Sequence, residues 1–180
     1  PPAAMKHVVR QAPDVILVGE MRDQETMSAA LNAAETGHLV LSTLHTMNAS
    51  QTVERIINFF PPHQHDLIRL QLSMILVGSV SQRLVPRTDG KGRVPAVEIL
   101  VGSPRVRELL HDGKTLDLYP AIREGAFFGM QTFNQSLIQW VERGAVKLED
   151  AMAASDDPDE LRLEIEGISK SSKPSEIVLK

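Results

Sequence analysis

The sequence predicts an α/β fold with a β-hairpin and a C-terminal helical lobe. Two short apolar runs, Asp14–Val18 (DVILV) and His38–Leu44 (HLVLSTL), flank an Ala-rich amphipathic segment, Gln24–Glu35. Continuous runs of this kind, rich in β-branched residues, suit strands buried on both faces of a parallel sheet. Two parallel strands joined by a helix make a right-handed crossover unit. Further on, Asp89-Gly90-Lys91-Gly92 separates two apolar arms, a hairpin signal. From Ser103 onward every segment reads as a short helix joined by Gly-containing turns.

Taken in order, Ala3–Gln11 reads as the end of a helix stopped by Pro13. The strand Asp14–Val18 is broken by Gly19. Asp23 is placed to cap the helix Gln24–Glu35, and Gly37 to end it. The strand His38–Leu44 follows. Asn48 caps a helix reaching about Phe59, Pro61 and Pro62 punctuate, and a long helix is expected from about Gln64 to Val80. The hairpin arms are Gln82–Pro86 and Arg93–Val101. Helices are expected near Pro104–His111, Leu116–Arg123, Thr132–Arg143 and Leu148–Ala154. Past Asp156 the chain is charged and Ser/Lys-rich, which predicts a largely disordered tail over 156–180. The expected domains are thus 1–102, the α/β core with its hairpin, then 103–155, the helical lobe, then the tail.

Composition narrows the function classes. Apolar residues are 42% and charged residues 23%, enough for a real core, and the net charge is −4. No broad basic surface is implied, so no nucleic-acid partner is expected. The chain has no cysteine, which excludes disulfides and cysteine-ligated metals. No apolar stretch approaches the roughly 20 residues of a membrane span, and no leader pattern is visible, so a cytoplasmic location is expected. The chain opens on Pro1-Pro2-Ala3 with no Met, as a fragment of a longer protein would.

The strongest chemical feature is strand, then Gly19-Glu20, then helix. A carboxylate just past the C-terminal end of a parallel strand sits where open α/β sheets bind ligands. In nucleotide hydrolases such a group serves Mg²⁺ through water or polarises the attacking water. A solvated glutamate at a strand end is the plainer alternative. His38 and His45 bracket the second strand, and only His45 falls on the same edge as Glu20. An imidazole there could contact a terminal phosphate, or could simply cap or pack.

The runs DVILVGEMRD (Asp14–Asp23) and AAETGHLVLSTLHT (Ala33–Thr46) closely resemble the Walker B and His-box segments of the PilT/PilU twitching-motility ATPases, within the secretion-ATPase superfamily. The likeness continues through ERIINFFP (Glu54–Pro61), SQRLVPR (Ser81–Arg87), AVEILVGSP (Ala96–Pro104) and GMQTFNQSL (Gly129–Leu137), covering roughly residues 5 to 155. It implies a partial RecA-like (P-loop NTPase) sheet in a homohexameric motor that hydrolyses ATP with Mg²⁺ to power pilus retraction. It implies an inner-membrane pilus platform protein as partner, a paralogous motor ATPase as a further one, and a place at the inner face of the bacterial inner membrane. By position, Glu20 matches the Walker B glutamate, catalytic and holding Mg²⁺ through water. Arg22 matches the arginine that follows, and His38 and His45 match the two His-box histidines. These residues are implied to contact nucleotide, with His45 also catalytic as the γ-phosphate sensor.

Two features bear on the branch. The retraction motors carry a helix motif reading AIRNLIRE; here Arg105–Asp112 reads RVRELLHD, in which Arg107, Leu109 and an acidic end fit while Arg105, Glu108 and His111 depart. Extension and type II secretion ATPases carry a four-cysteine zinc loop after the strand matching Gln82–Pro86, where this chain has its tight turn. A secretion or extension motor remains the alternative. So does a fragment inactive alone that serves oligomerisation or docking, because no phosphate loop is present. Gly113-Lys114-Thr115 lacks the Gly that such a loop needs, position 108 being Glu, so Gly113 reads as a helix C-cap. His63 and His65 do not share a helical face. Trp140 and residues 74–77 read as core.

Overall fold

The computed structural model describes residues 13–171. The helix end expected over Ala3–Gln11 and the last nine residues of the tail lie outside them. Two compact units emerge, one of residues 13–81 with Ile99–Met130, the other of Gln82–Glu98 with residues 131–171. Both divisions differ from the boundaries read at 102/103 and 155/156.

In the first unit, β1 (Val15–Val18) pairs in parallel with β2 (Leu39–Ser42), Val15 opposite Leu39 and Val18 opposite Ser42. Helix α1 (Gln24–Glu35) makes the crossover. Asp23 caps it, its Oδ1 accepting from Thr26 N at 2.7 Å. Gly37 ends it at φ +96°, where an L side chain is disfavoured. Ile16 is buried against Ala30 and Ala33 of α1, with Val18 and Val40 beside them. The opposite face is open: Val15, Leu17, Leu39 and Leu41 are 52%, 76%, 44% and 48% exposed. The strands expected to be covered on both faces are therefore covered on one among the described residues.

Asn48 caps α2 (Ala49–Asn58), its Oδ1 accepting from Gln51 N. Helix α3 (His65–Ile75) ends earlier than the expected Val80. Leu76 turns extended, and β3 (Gly78–Pro86) begins two residues later. Close backbone approach fixes this junction: a Cβ on Gly102 would lie 2.1 Å from the Leu76 carbonyl oxygen. Arg107 clasps it as well, donating from Nε to Gly102 O and from Nη1 to the Met74 and Ser73 carbonyls.

β4 (Arg93–Val101) completes the hairpin; Gly90 and Gly92 take φ +70° and +93° in its turn. Helices α4 (Pro104–His111) and α5 (Leu118–Glu124) belong to the first unit, where Val106, Leu109, Leu110, Leu118 and Ile122 join Val53, Ile57, Ile68 and Leu72 in one core.

In the second unit, α6 (Phe133–Glu142), α7 (Leu148–Ala154) and α8 (Pro158–Ser171) surround the outer hairpin. Phe133, Leu137, Ala151 and Leu161 are buried with Val85, Val94 and Ala96. α8 occupies much of the segment expected to be disordered. Asp157 starts it, Oδ1 accepting from Glu160 N at 2.9 Å, and Leu161 is fully buried. Trp140 packs as read and donates its indole N–H to Pro95 O.

Candidate functional site at the C-terminal rim of the parallel strands

The parallel register carries β1 and β2 out on the same edge, so the segments beyond Val18 and Ser42 run side by side. Two bonds stitch them: Thr43 Oγ1 donates to Gly19 O at 2.5 Å, and Met21 N donates to Thr43 O at 3.4 Å. Thr43, which the sequence reading passed over, thereby sets the spacing of the two loops. The signal for it was a hydroxyl residue immediately past the last strand position.

The second loop is locked to the helix it enters. Thr46 and Thr52 share a hydroxyl–hydroxyl bond of 2.7 Å, Thr52 Oγ1 donates to Asn48 O, and Met47 N donates to Gln51 Oε1. His45 is thus held by short-range bonds on its C-terminal side and by the strand on the other.

At this rim three predicted residues meet. Arg22 Nη2 lies 2.6 Å from Glu20 Oε2, and His45 Nε2 lies 2.9 Å from Glu20 Oε1. The carboxylate is the sheltered member, its side chain 24% exposed against 77% for Arg22 and 82% for His45. The Arg22 guanidinium hydrogen-bonded to it holds the Glu20 carboxyl below the ordinary glutamate range, with the charges of Arg22 and His45 adding to the effect. Glu20 in turn raises Arg22 further above the range where it could lose its proton. Glu20 is therefore an anion at neutral pH.

His38 stands apart, one residue before β2 and so at the other end of that strand. Its Nδ1 donates to Ala33 O at 2.9 Å and lies 3.2 Å from Thr36 Oγ1, which ties the α1–β2 turn.

Beside His45 an open cleft of about 430 Å³ runs along α2, bordered by Thr46, Gln51, Glu54, Arg55 and Phe59. Glu54 accepts a hydrogen bond from Thr115 Oγ1. Among the described residues no group of three or more His, Cys, Asp or Glu side chains could enclose a metal ion. One ionised carboxylate is what Mg²⁺ asks of a protein when phosphates and water supply the other ligands, so Glu20 fits that ion through water. His65 Nε2 donates to Phe60 O at 2.8 Å rather than joining His63, and Gly113 follows α4 at φ +69°. No helix among the described residues is long and apolar enough to cross a membrane.

Comparison with known proteins places this rim in context. The model of the family described as Type II/IV secretion system protein matches residues 2–153. The chain is 46% identical over 168 residues to the type IV pilus ATPase PilU of Pseudomonas aeruginosa, covering 93% of this chain and 44% of that protein. It is 46% identical over 148 residues to a twitching motility protein of Neisseria gonorrhoeae, covering 82% of this chain and 40% of that one. Among solved structures, the pilus retraction motor PilT with bound ADP superposes with a TM-score of 0.80 at 46% identity, covering 90% of this chain and 45% of that chain. The fold is that of the PilT ATPase domain. The chain spans under half the length of these relatives.

Proposed function

We infer, since the chain belongs to the Type II/IV secretion system protein family, that the whole protein is an ATP-hydrolysing motor that powers type IV pilus retraction. The observation that carries this reading is the meeting of Glu20 with His45 and Arg22 at one rim of the parallel strands. An acid and an imidazole delivered to a common edge suit a triphosphate held against them.

ATP is assigned to this rim, with the phosphate loop supplied from outside these 180 residues, which contain no G-x-x-x-x-G-K-[ST] segment. Mg²⁺, where bound, neutralises charge developing on the phosphates. Glu20 would hold that ion through water, and its carboxylate orients the attacking water. His45 donates from Nε2 toward the terminal phosphate. Arg22 contributes a cation beside the phosphates. His38, at the far end of β2, is the one sequence-assigned nucleotide contact without a neighbour in this trio; it holds the turn that sets β2 in place. A homohexamer at the inner face of the bacterial inner membrane, working on a pilus platform protein and alongside a paralogous motor, completes the reading.

The Asp89-Gly90-Lys91-Gly92 turn favours retraction over extension or secretion, since it leaves no room for a cysteine-bound zinc loop. Glu20→Gln in the full-length protein is expected to abolish turnover while nucleotide still binds. Wild-type hydrolysis in that variant refutes the assignment. The 1–180 chain alone is expected to hydrolyse no ATP, and measurable turnover by it would contradict the division of labour proposed here.

A further inference from the structure

We propose that Arg22 is a transferable cation, paired with Glu20 while the rim holds no nucleotide and passed to the phosphate tail of a nucleoside triphosphate when one binds. The inference rests on the functional reading above and deepens the phosphate-binding role given to Arg22 within it.

The geometry distinguishes a fixed backbone from a releasable side chain. The loop Gly19–Asp23 is tied at both ends, by the Thr43–Gly19 and Met21–Thr43 bonds and by the Asp23 cap. Between those ties the Arg22 side chain is 77% exposed and contacts Glu20 at 2.6 Å. An ion pair this exposed is weak, because water and salt compete for both partners. The Glu20 side chain is 24% exposed, so water reaches the carboxylate and departure of Arg22 does not strand it. A guanidinium matches phosphate oxygens in fork geometry as well as it matches a carboxylate, and a triphosphate offers several anionic oxygens where Glu20 offers one charge. The exchange is therefore downhill once phosphates arrive at the rim.

The pair then has a thermodynamic consequence. A ligand that must break a contact in the empty form binds more weakly than one that need not. Glu20 and Arg22 should be coupled in nucleotide affinity, and the coupling should fade as salt rises.

A double-mutant cycle tests this in the full-length protein, reading the Kd of a non-hydrolysable fluorescent ATP analogue with Mg²⁺ for wild type, E20Q, R22Q and the double variant. Removing the Glu20 charge also lessens its repulsion of the phosphates, an effect common to both backgrounds that cancels in the cycle. The expected result is that E20Q tightens binding about two- to fivefold more when Arg22 is present than when it is Gln, the span for an exposed ion pair. A ratio at or below one overturns the proposal. R22K, which keeps the charge without the fork, is expected to retain part of the coupling, and thermal melts confirm that all variants fold. Failure of the functional reading is separate: it shows as wild-type hydrolysis by E20Q, whatever the cycle gives.

Discussion

Gly102→Ala is expected to be among the costliest single-methyl changes in this protein. The added Cβ would stand 2.1 Å from Leu76 O and 3.3 Å from Leu76 C, where ordinary contact begins at 3.4 Å. Relief needs a shift of about 1.3 Å, the difference of 3.4 and 2.1. Both sides of the contact are backbone and both are tied. Gly102 N donates to Val77 O at 2.9 Å, Leu76 N donates to Leu72 O at 2.9 Å, and Arg107 Nε holds Gly102 O at 2.8 Å. Gly102 does not have a positive φ, so alanine brings no conformational strain and the cost is steric. Losing two such bonds at about 1 kcal/mol each, with overpacking of about 1–3 kcal/mol, gives about 4 kcal/mol. At about 2–4 °C per kcal/mol for a chain of this size, the melting point falls by roughly 12 °C. Urea unfolding followed by far-UV circular dichroism measures it, with Gly37→Ala as the control. That glycine has φ +96° and no atom within 4 Å of its added Cβ, so only the left-handed penalty of about 1–2 kcal/mol applies. A G102A protein within about 0.5 kcal/mol of wild type would refute the close approach of Leu76 and Gly102, and with it the account of why α3 stops where it does.

Other expectations follow from single contacts. Leu137→Ala empties a fully buried site in the second core and should cost about 2–5 kcal/mol by chemical denaturation, more than any exposed leucine. Arg83 stacks 3.9 Å over Phe133 and donates from Nη2 to both Asp156 oxygens at 2.8 Å; Arg83→Lys should therefore lose about 1–2 kcal/mol despite keeping its charge. Bonds from Thr26 N and Thr26 Oγ1 hold the Asp23 carboxyl below its usual range. A depressed folded pKa stabilises fully above the unfolded value of about 4 and loses that contribution as pH falls through the folded one. The stability difference between wild type and Asp23→Asn should accordingly be flat at neutral pH and shrink only in acid.

Local chemistry made much of this architecture readable. Asp23, Asn48 and Gly37 stand at helix ends as their side chains and backbones require. The turn at Asp89–Gly92 has the positive φ values that only glycine adopts freely. What escaped the sequence needed tertiary knowledge. Met74-Ile75-Leu76-Val77 is apolar throughout, so its periodicity suits a helix or a strand equally, and the contact of Leu76 with Gly102 decides between them. The stretch after Pro158 has few apolar residues, yet Leu161 is buried in the second core, which is enough to anchor a helix whose Asp157 cap was visible. At the rim, spacing placed Glu20 and His45 on one edge, but the role of Thr43 came only with the parallel register.

The bare side of the parallel pair has a practical meaning. Leu17 and its neighbours form a greasy ledge on a sheet of two paired strands among the described residues, the combination that invites other chains to adhere. Handled by itself, the 180-residue polypeptide should bind hydrophobic dyes and lose yield to clumping on concentration. Polar replacements at Leu17 and Leu41 are the remedy the architecture dictates, because they point away from Ile16 and the α1 alanines that hold the strands in place.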